Sequence, residues 1–235
     1  MGRAFEFRRA RKMRRWNRMA KAFTKLSKEI TIAAKTGGPS PEGNMRLRIA
    51  MENARSVNMP KEKIEAAVRR ATSKDGAAIQ EVVYEGYGPY GIAVVVECAT
   101  DNPTRTVGNV RSYFIRAGGT LGTTGSLDFL FQRKGVIRFP TAGIDAAEFE
   151  LQLIDHGAEE ITIEEGEMFV TTQFTDFVTV QRFLAEKGIT GGSAEMQRIP
   201  VTTTELSDEQ TEEVITLIEK LEEDEDVQAV YTNVR

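Results

Sequence analysis

A chain of 235 residues that is 40% hydrophobic and 28% charged is balanced like a globular protein and long enough to bury more than one core. Its single cysteine, Cys98, excludes an intramolecular disulfide and a thiolate metal cluster, which fits a reducing cytoplasm. No apolar run reaches the roughly 18 residues that a bilayer span needs, so no membrane partner is expected. The net charge of −4 hides a division, since residues 1–75 hold 20 basic and 7 acidic side chains (+13) and the remainder 11 and 28 (−17).

The basic end opens on a helical pattern. Residues 1–35 carry twelve Lys or Arg against Glu6 and Glu29 alone. On a wheel turning about 100° per residue, Arg14, Arg18, Lys21, Lys25, Lys28 and Lys35 share one face, with Met19, Phe23, Leu26 and Ile30 roughly opposite. One side packs and the other meets an anion. A charge run is more often a solvated face, but the acidic partners of a neutral i,i+4 surface are nearly absent here, which favours phosphate binding. An Arg-rich, acid-poor start also suits an organellar transit peptide; this one is poor in Ser, and its apolar face matches the helices that follow.

Gly37 and Gly38 end that helix. Ser40-Pro41 reads as the cap of a second helix with Leu47, Ala50, Met51 and Ala54 inside and Arg46, Arg48 and Arg55 outside. Pro60 starts a third, with Ile64, Ala67, Val68 and Ala71 inside and Lys61, Lys63, Arg69 and Arg70 outside. Lys74-Asp75-Gly76 is a hinge where the period changes to extended. Strands are expected at 82–84 and 92–96 around a Gly-Pro turn. A helix after Asn102-Pro103 has the core stripe Val107, Val110, Phe114 and Ala117, and a glycine-rich segment then leads to a strand at 127–131.

From Gly135 the order is strand (136–139), helix (core stripe Ile144, Ala147, Leu151, Ile154), strands (161–163 and 168–172), helix (Phe177, Val180, Leu184) and strand (194–199). This is a ferredoxin-like unit. Ser207 and Gln210 have capping-box spacing before a helix with Val214, Leu217, Ile218 and Leu221, and a strand follows at 227–231. That last pair lacks a sheet of its own and is expected to complete the earlier half unit. The fold class is therefore α+β: an N-terminal three-helix domain (1–75), then two nested ferredoxin-like α+β domains, one of residues 76–132 plus 200–235 and the other inserted at 133–199.

Several segments match a known family. Thr24-Lys25-Leu26, Glu29-Ile30-Thr31, Ala33-Ala34, Asn44, Arg46-Leu47-Arg48 and Asn58-Met59-Pro60-Lys61 with Ile64 resemble the helical domain of the YebC family, and Tyr84-Glu85-Gly86-Tyr87-Gly88-Pro89 resembles its hinge strand. Thr100-Asp101-Asn102, Arg105-Thr106-Val107, Val110-Arg111, Phe114, Gly118-Gly119, Leu121-Gly122 and Gly125-Ser126 are similar to its most recognisable block. The family's common Gly-His-Ser-Lys-Trp opening is replaced here by Gly2-Arg3-Ala4-Phe5-Glu6-Phe7, which keeps the basic character. The resemblance implies a three-domain transcriptional regulator that binds DNA. It also implies an alternative, because a mitochondrial relative activates translation and bacterial relatives are linked to ribosomes stalled during peptide-bond formation.

Candidate nucleic-acid-binding residues are Arg11, Arg14, Arg18, Lys21, Lys25, Lys28, Lys35, Arg46, Arg48, Lys61 and Lys63, which would meet phosphate without reading sequence. Trp16, Phe5 and Phe7 suit base stacking, although the core side of its helix is the better reading for Trp16, which sits near the Phe23 face. Arg105 and Arg111 are candidate partner contacts or structural ion pairs. The glycine-rich 119–126 segment lacks the lysine of a phosphate loop, so no nucleotide cofactor or small-molecule substrate is expected. His156 has no second ligand nearby, and the acids at 222–226 read as a solvated tail with no metal. The reading is a non-enzymatic regulator of gene expression with DNA or ribosomal RNA as partner. Its alternative is a ribosome-associated translation factor on rRNA or tRNA, and a metal-dependent nuclease or a protein-interaction adaptor fits less well.

Overall fold

The computed structural model describes the backbone of residues 3–73, 78–189 and 192–235, with side chains from Ala20 onward. The chain divides into two compact units, residues 1–76 and 77–235. The hinge expected at Lys74-Asp75-Gly76 lies outside the described residues.

The first unit is three helices: α1 (Arg3–Gly37), α2 (Met45–Ser56) and α3 (Lys61–Thr72). Their shared core is Ile30, Ala33, Ala34, Leu47, Ala50, Ala54, Met59, Ile64 and Ala67, with Phe23 and Leu26 packed against it. The many alanines let the three backbones lie close. Ser40 does not cap α2; Asn44 does, and Ser40 instead donates to Glu42 in the preceding turn. Asn44 is buried and works in both directions. Its Oδ1 accepts from Leu47 N (3.1 Å), while its Nδ2 donates to Ala33 O and Gly38 O (both 2.8 Å), carbonyls at the end of α1. Ser40 offers one hydroxyl and could not supply that pair of donors. Asn44→Ala is expected to cost about 3 kcal/mol, one part cap and the rest the orphaned carbonyls, read as a lower midpoint in denaturant melts of the intact chain.

The second unit contains two four-stranded sheets. In the first, β1 (Gln80–Tyr87), β2 (Ala93–Thr100), β3 (Thr120–Leu121) and β8 (Val227–Thr232) lie in the order β3-β1-β2-β8, all antiparallel. With β2, β3 and β8 as first, second and fourth strands, β1 takes the place of the third. This is a ferredoxin-like sheet whose third strand comes first in the chain. The second sheet has β4 (Phe131–Pro140), β5 (Ala158–Glu164), β6 (Glu167–Gln173) and β7 (Ser193–Pro200) in the order β5-β6-β4-β7, the same arrangement in the usual strand sequence. Helices α5 (Ala146–Asp155) and α6 (Phe177–Glu186) serve it. The two sheets meet where Arg198 Nε of β7 donates to Glu97 Oε1 of β2 (2.8 Å) and Tyr231 donates to Met196 O (3.3 Å).

Helices α4 (Pro103–Arg116) and α7 (Asp208–Glu223) pack on the first sheet. Val94, Val96 and Cys98 of β2 face Val110, Phe114, Val214, Leu217 and Leu221. Ala93 and Val95 point the other way, onto Leu127 and Phe131. Burial on both faces explains why Ile92 to Val96 reads as an uninterrupted apolar run. The Ser207–Gln210 capping box is present.

Two further segments differ from their sequence patterns. The strand expected at 127–131 is a short 3-10 turn (Asp128–Leu130), because Leu127 N is captured by a side chain from β1, and extended backbone resumes only at Phe131. The stripe expected to bury α5 is exposed at Leu151 and Ile154, whereas Phe149 and Leu153 are buried. Phe149 joins rings with Phe139 and Phe183 at 6.0 and 5.5 Å, and the larger aromatic decides which apolar face turns inward.

Candidate nucleic-acid interface

The cations of the first unit differ in how they are held. Lys21 and Lys35 on α1 are exposed, as are Arg46 on α2 and Lys61 and Lys63 on α3; Lys25, Lys28 and Arg48 are half-buried. Arg48 folds back on the preceding turn, its Nε donating to Pro41 O (3.2 Å) and its Nη2 to Glu42 O (3.3 Å). Lys63 Nζ lies 5.2 Å from the centre of the Phe23 ring, which brings a cation of α3 onto α1 at a residue that lies between Lys21 and Lys25 in sequence. Glu65 is shared between Lys61 and Arg69, each 3.7 Å away. Such exposed pairs are worth a few tenths of a kcal/mol and give way readily to phosphate. The side chains of Arg11, Arg14, Arg18, Trp16, Phe5 and Phe7 lie outside the described residues.

The second unit places the other candidates on α4. Asn102 caps it, Oδ1 accepting from Arg105 N at 3.1 Å. Arg105 donates to Asp101 Oδ1 (3.0 Å) and to Asp226 Oδ2 (2.7 Å), so it sits in an ion-pair network, and hydrogen bonding to Asp226 raises its proton affinity further. Arg111 and Arg116 are exposed and have no ion-pair partner among the described residues.

The acids at 222–226 are not a uniformly solvated tail. Asp226 is 6% exposed and accepts from Thr100 (3.1 Å), Thr106 (2.9 Å) and Arg105; Asp224 accepts from Asn109 Nδ2 (3.1 Å) and the Tyr113 hydroxyl (3.2 Å). Burial, then the Asp224 charge, pushes the Tyr113 phenol up. These carboxylates clamp the end of α7 to α4, while Glu222, Glu223 and Glu225 stay exposed.

The glycine-rich segment is bound by its own chain. Glu85 of β1 is 2% exposed, and its carboxylate accepts from Gly125 N (2.9 Å) and Leu127 N (2.6 Å), while its carbonyl accepts from Gly122 N (2.7 Å). A side chain on Gly119 would strike Tyr87 O at 2.4 Å and one on Gly86 would strike Thr120 O at 2.5 Å, so these glycines serve close backbone approach. Amides that cradle phosphate elsewhere are here occupied by a resident carboxylate. No sequence pattern flags Glu85, because its partners lie some 40 positions away and are backbone.

His156 stacks on Phe183 at 4.1 Å, with Nδ1 2.7 Å from Gln152 O, and Cys98 is buried. Among the described residues no group of three or more His, Cys, Asp or Glu is placed to hold a metal ion, and no helix is long and apolar enough to cross a membrane.

Comparison with known proteins fits this architecture. Residues 3–74 match the model of the TACO1/YebC protein N-terminal domain, and residues 79–234 that of the TACO1/YebC second and third domain. A "Probable transcriptional regulatory protein" of Cytophaga hutchinsonii is 59% identical over 99% of this chain and 98% of its own length. One of the same name from Porphyromonas gingivalis is 54% identical over 100% and 98%. The crystal structure of a conserved hypothetical protein, Aq1575, from Aquifex aeolicus superposes with a TM-score of 0.83 at 38% identity, covering 92% of this chain and 90% of that one.

Proposed function

Because the chain belongs to the TACO1/YebC family, we propose that it is a non-enzymatic regulator of gene expression that holds nucleic acid on its cationic helical unit. The observation that carries this reading is the division of charge: +13 over residues 1–75, with eight cations and only Glu6 between residues 3 and 18. Counterion release from phosphate would drive binding, and the anionic remainder of the chain would be turned away from the polyanion. The name borne by the relatives supports a regulatory role and favours DNA. In this reading residues 76–132 with 200–235 form one α+β domain and 133–199 a second inserted in it, acting in the cytoplasm.

A ribosome-associated role on rRNA or tRNA, relieving stalled peptide-bond formation, is the second reading. It is favoured by the make-up of the helical unit, which offers Lys and Arg to phosphate and, among its described residues, only Asn58 as an exposed Asn or Gln. The test is a titration of the intact chain into labelled duplex DNA and into ribosomal RNA between about 50 and about 200 mM salt. Six to ten phosphate contacts would cost roughly 10³- to 10⁵-fold in affinity across that range. Retention of neither polymer at the lower salt defeats the proposal, and a preference between them chooses the reading.

A further inference from the structure

We propose that the outer face of α4, together with the glycine-rich turn after it, is a second contact for nucleic acid, specifically the sugar–phosphate backbone of a folded RNA. The proposal rests on the reading that this chain binds nucleic acid, but it places a contact on the acidic unit, where net charge would forbid one.

Gly108 carries the argument. It sits in the interior of α4 and is exposed, and a Cβ added there would meet nothing within 4 Å. Its φ lies outside the left-handed region, so neither space nor backbone conformation inside the protein calls for glycine. Glycine in a helix interior weakens the helix relative to alanine. What a bare backbone gains is approach: a partner can lie against the helix there more closely than against any side chain.

The residues around Gly108 say what that partner is. Thr104, Gly108, Arg111 and Ile115 recur at helical spacing and are all exposed, with Ile115 63% exposed. Arg111 and Arg116 present guanidinium groups without ion-pair partners among the described residues, whereas Arg105 is already tied to Asp101 and Asp226. From Asn102 to Leu127 there is no Asp or Glu, in a unit that holds 28 of them. Exposed Asp101 and Asp128 bound this stretch at either end, and on α7 the exposed Glu209, Glu212, Glu213, Glu219 and Glu222 would repel a polyanion that strayed from α4.

The turn beyond α4 favours RNA over DNA. Thr120 of β3 and Thr123 and Thr124 of the turn are exposed, and the turn's backbone is held to β1 through the Gly122, Gly125 and Leu127 amides that Glu85 accepts from. Hydroxyl donors and acceptors held beside a phosphate-binding helix can bond the 2′-hydroxyl, which DNA lacks.

The experiment uses the intact chain and three variants: G108A, R111Q/R116Q, and K21E/K25E/K28E as the reference for the helical unit. Each is titrated into a labelled RNA stem-loop and a DNA duplex of matching sequence at low salt, with a thermal melt alongside. G108A is expected to raise Tm by about 2 °C while weakening RNA binding at least threefold, opposite signs that a structural role for Gly108 would not give. R111Q/R116Q is expected to weaken RNA binding tenfold or more and to reduce the salt slope by about two contacts, with a smaller loss on DNA. If both α4 variants bind like the parent while K21E/K25E/K28E fails, this proposal is overturned and the helical-unit reading stands. The reverse pattern overturns the helical-unit reading and supports this one. A lower Tm for G108A refutes the claim that Gly108 has no internal role, equal losses on the two polymers refute the choice of RNA, and a parent chain that binds neither overturns both ideas.

Discussion

Reversing Lys21, Lys25 and Lys28 to glutamate is expected to lower affinity for nucleic acid by roughly a thousandfold at about 50 mM salt and to flatten the log–log salt dependence by about three units. The magnitude follows from counterion release, in which each phosphate contact contributes about 0.9 to the slope. The three lysines succeed one another at spacings of four and three along α1, a single stripe, while Phe23, Leu26 and Ile30 on the same helix serve the core. A melt of the variant within a few degrees of the parent would show that those core contacts survive. Fluorescence anisotropy on duplex DNA and on ribosomal RNA reads the affinity. An unchanged slope would mean that α1 is a solvated face after all, and the adaptor reading, in which the acidic unit binds a protein, would gain.

What sequence could and could not show divides along a physical line. Features set by composition or local spacing were readable. The Asn102 cap and the Ser207–Gln210 capping box depend on neighbours within a few positions. The ferredoxin-like order of β4 to β7 with α5 and α6 is likewise written in alternating periods, and that sheet has the order β5-β6-β4-β7. Choices settled by competition between equivalent local patterns were not readable. On α5 two apolar stripes coexist, and the aromatic ring of Phe149, meeting Phe139 and Phe183, decides between them only once the sheet exists. Ser40 and Asn44 are both good caps, and the choice turns on whether the end of α1 arrives with carbonyls needing donors.

The candidate site divides in the same way. Lys61 and Lys63 were legible as exposed cations, yet that Lys63 lies on the Phe23 ring and that Lys61 shares Glu65 with Arg69 are consequences of packing. The acids at 222–226 carry one compositional label and two fates, because Asp224 and Asp226 reach α4 while their neighbours face water. The absence of acids between Asn102 and Leu127 is open to inspection in the sequence, but it acquires meaning only when Arg111, Gly108 and Ile115 are seen to share an exposed face.

Glu85→Ala is expected to cost about 4 kcal/mol and to lower Tm by roughly 10 °C, a larger stability effect than that of Asn44→Ala. The carboxylate is 2% exposed and is the acceptor for Gly125 N and Leu127 N. Removing it strands two amide donors, each worth about 1–3 kcal/mol when left without a partner away from water, and leaves a cavity besides. Glu85→Gln should recover little, since its amide nitrogen would point a donor at one of those two donors. A matched control is Glu205→Ala, whose carboxylate is exposed and pairs with Arg235 at 2.7 Å; its effect should stay within about 0.5 kcal/mol. Hydrogen exchange gives the local readout, with the Gly125 and Leu127 amides losing protection ahead of the Val94 and Val96 amides in β2. A Glu85→Ala chain that melts with the parent would show that these amides find water instead, and the turn would then have to be regarded as self-supporting.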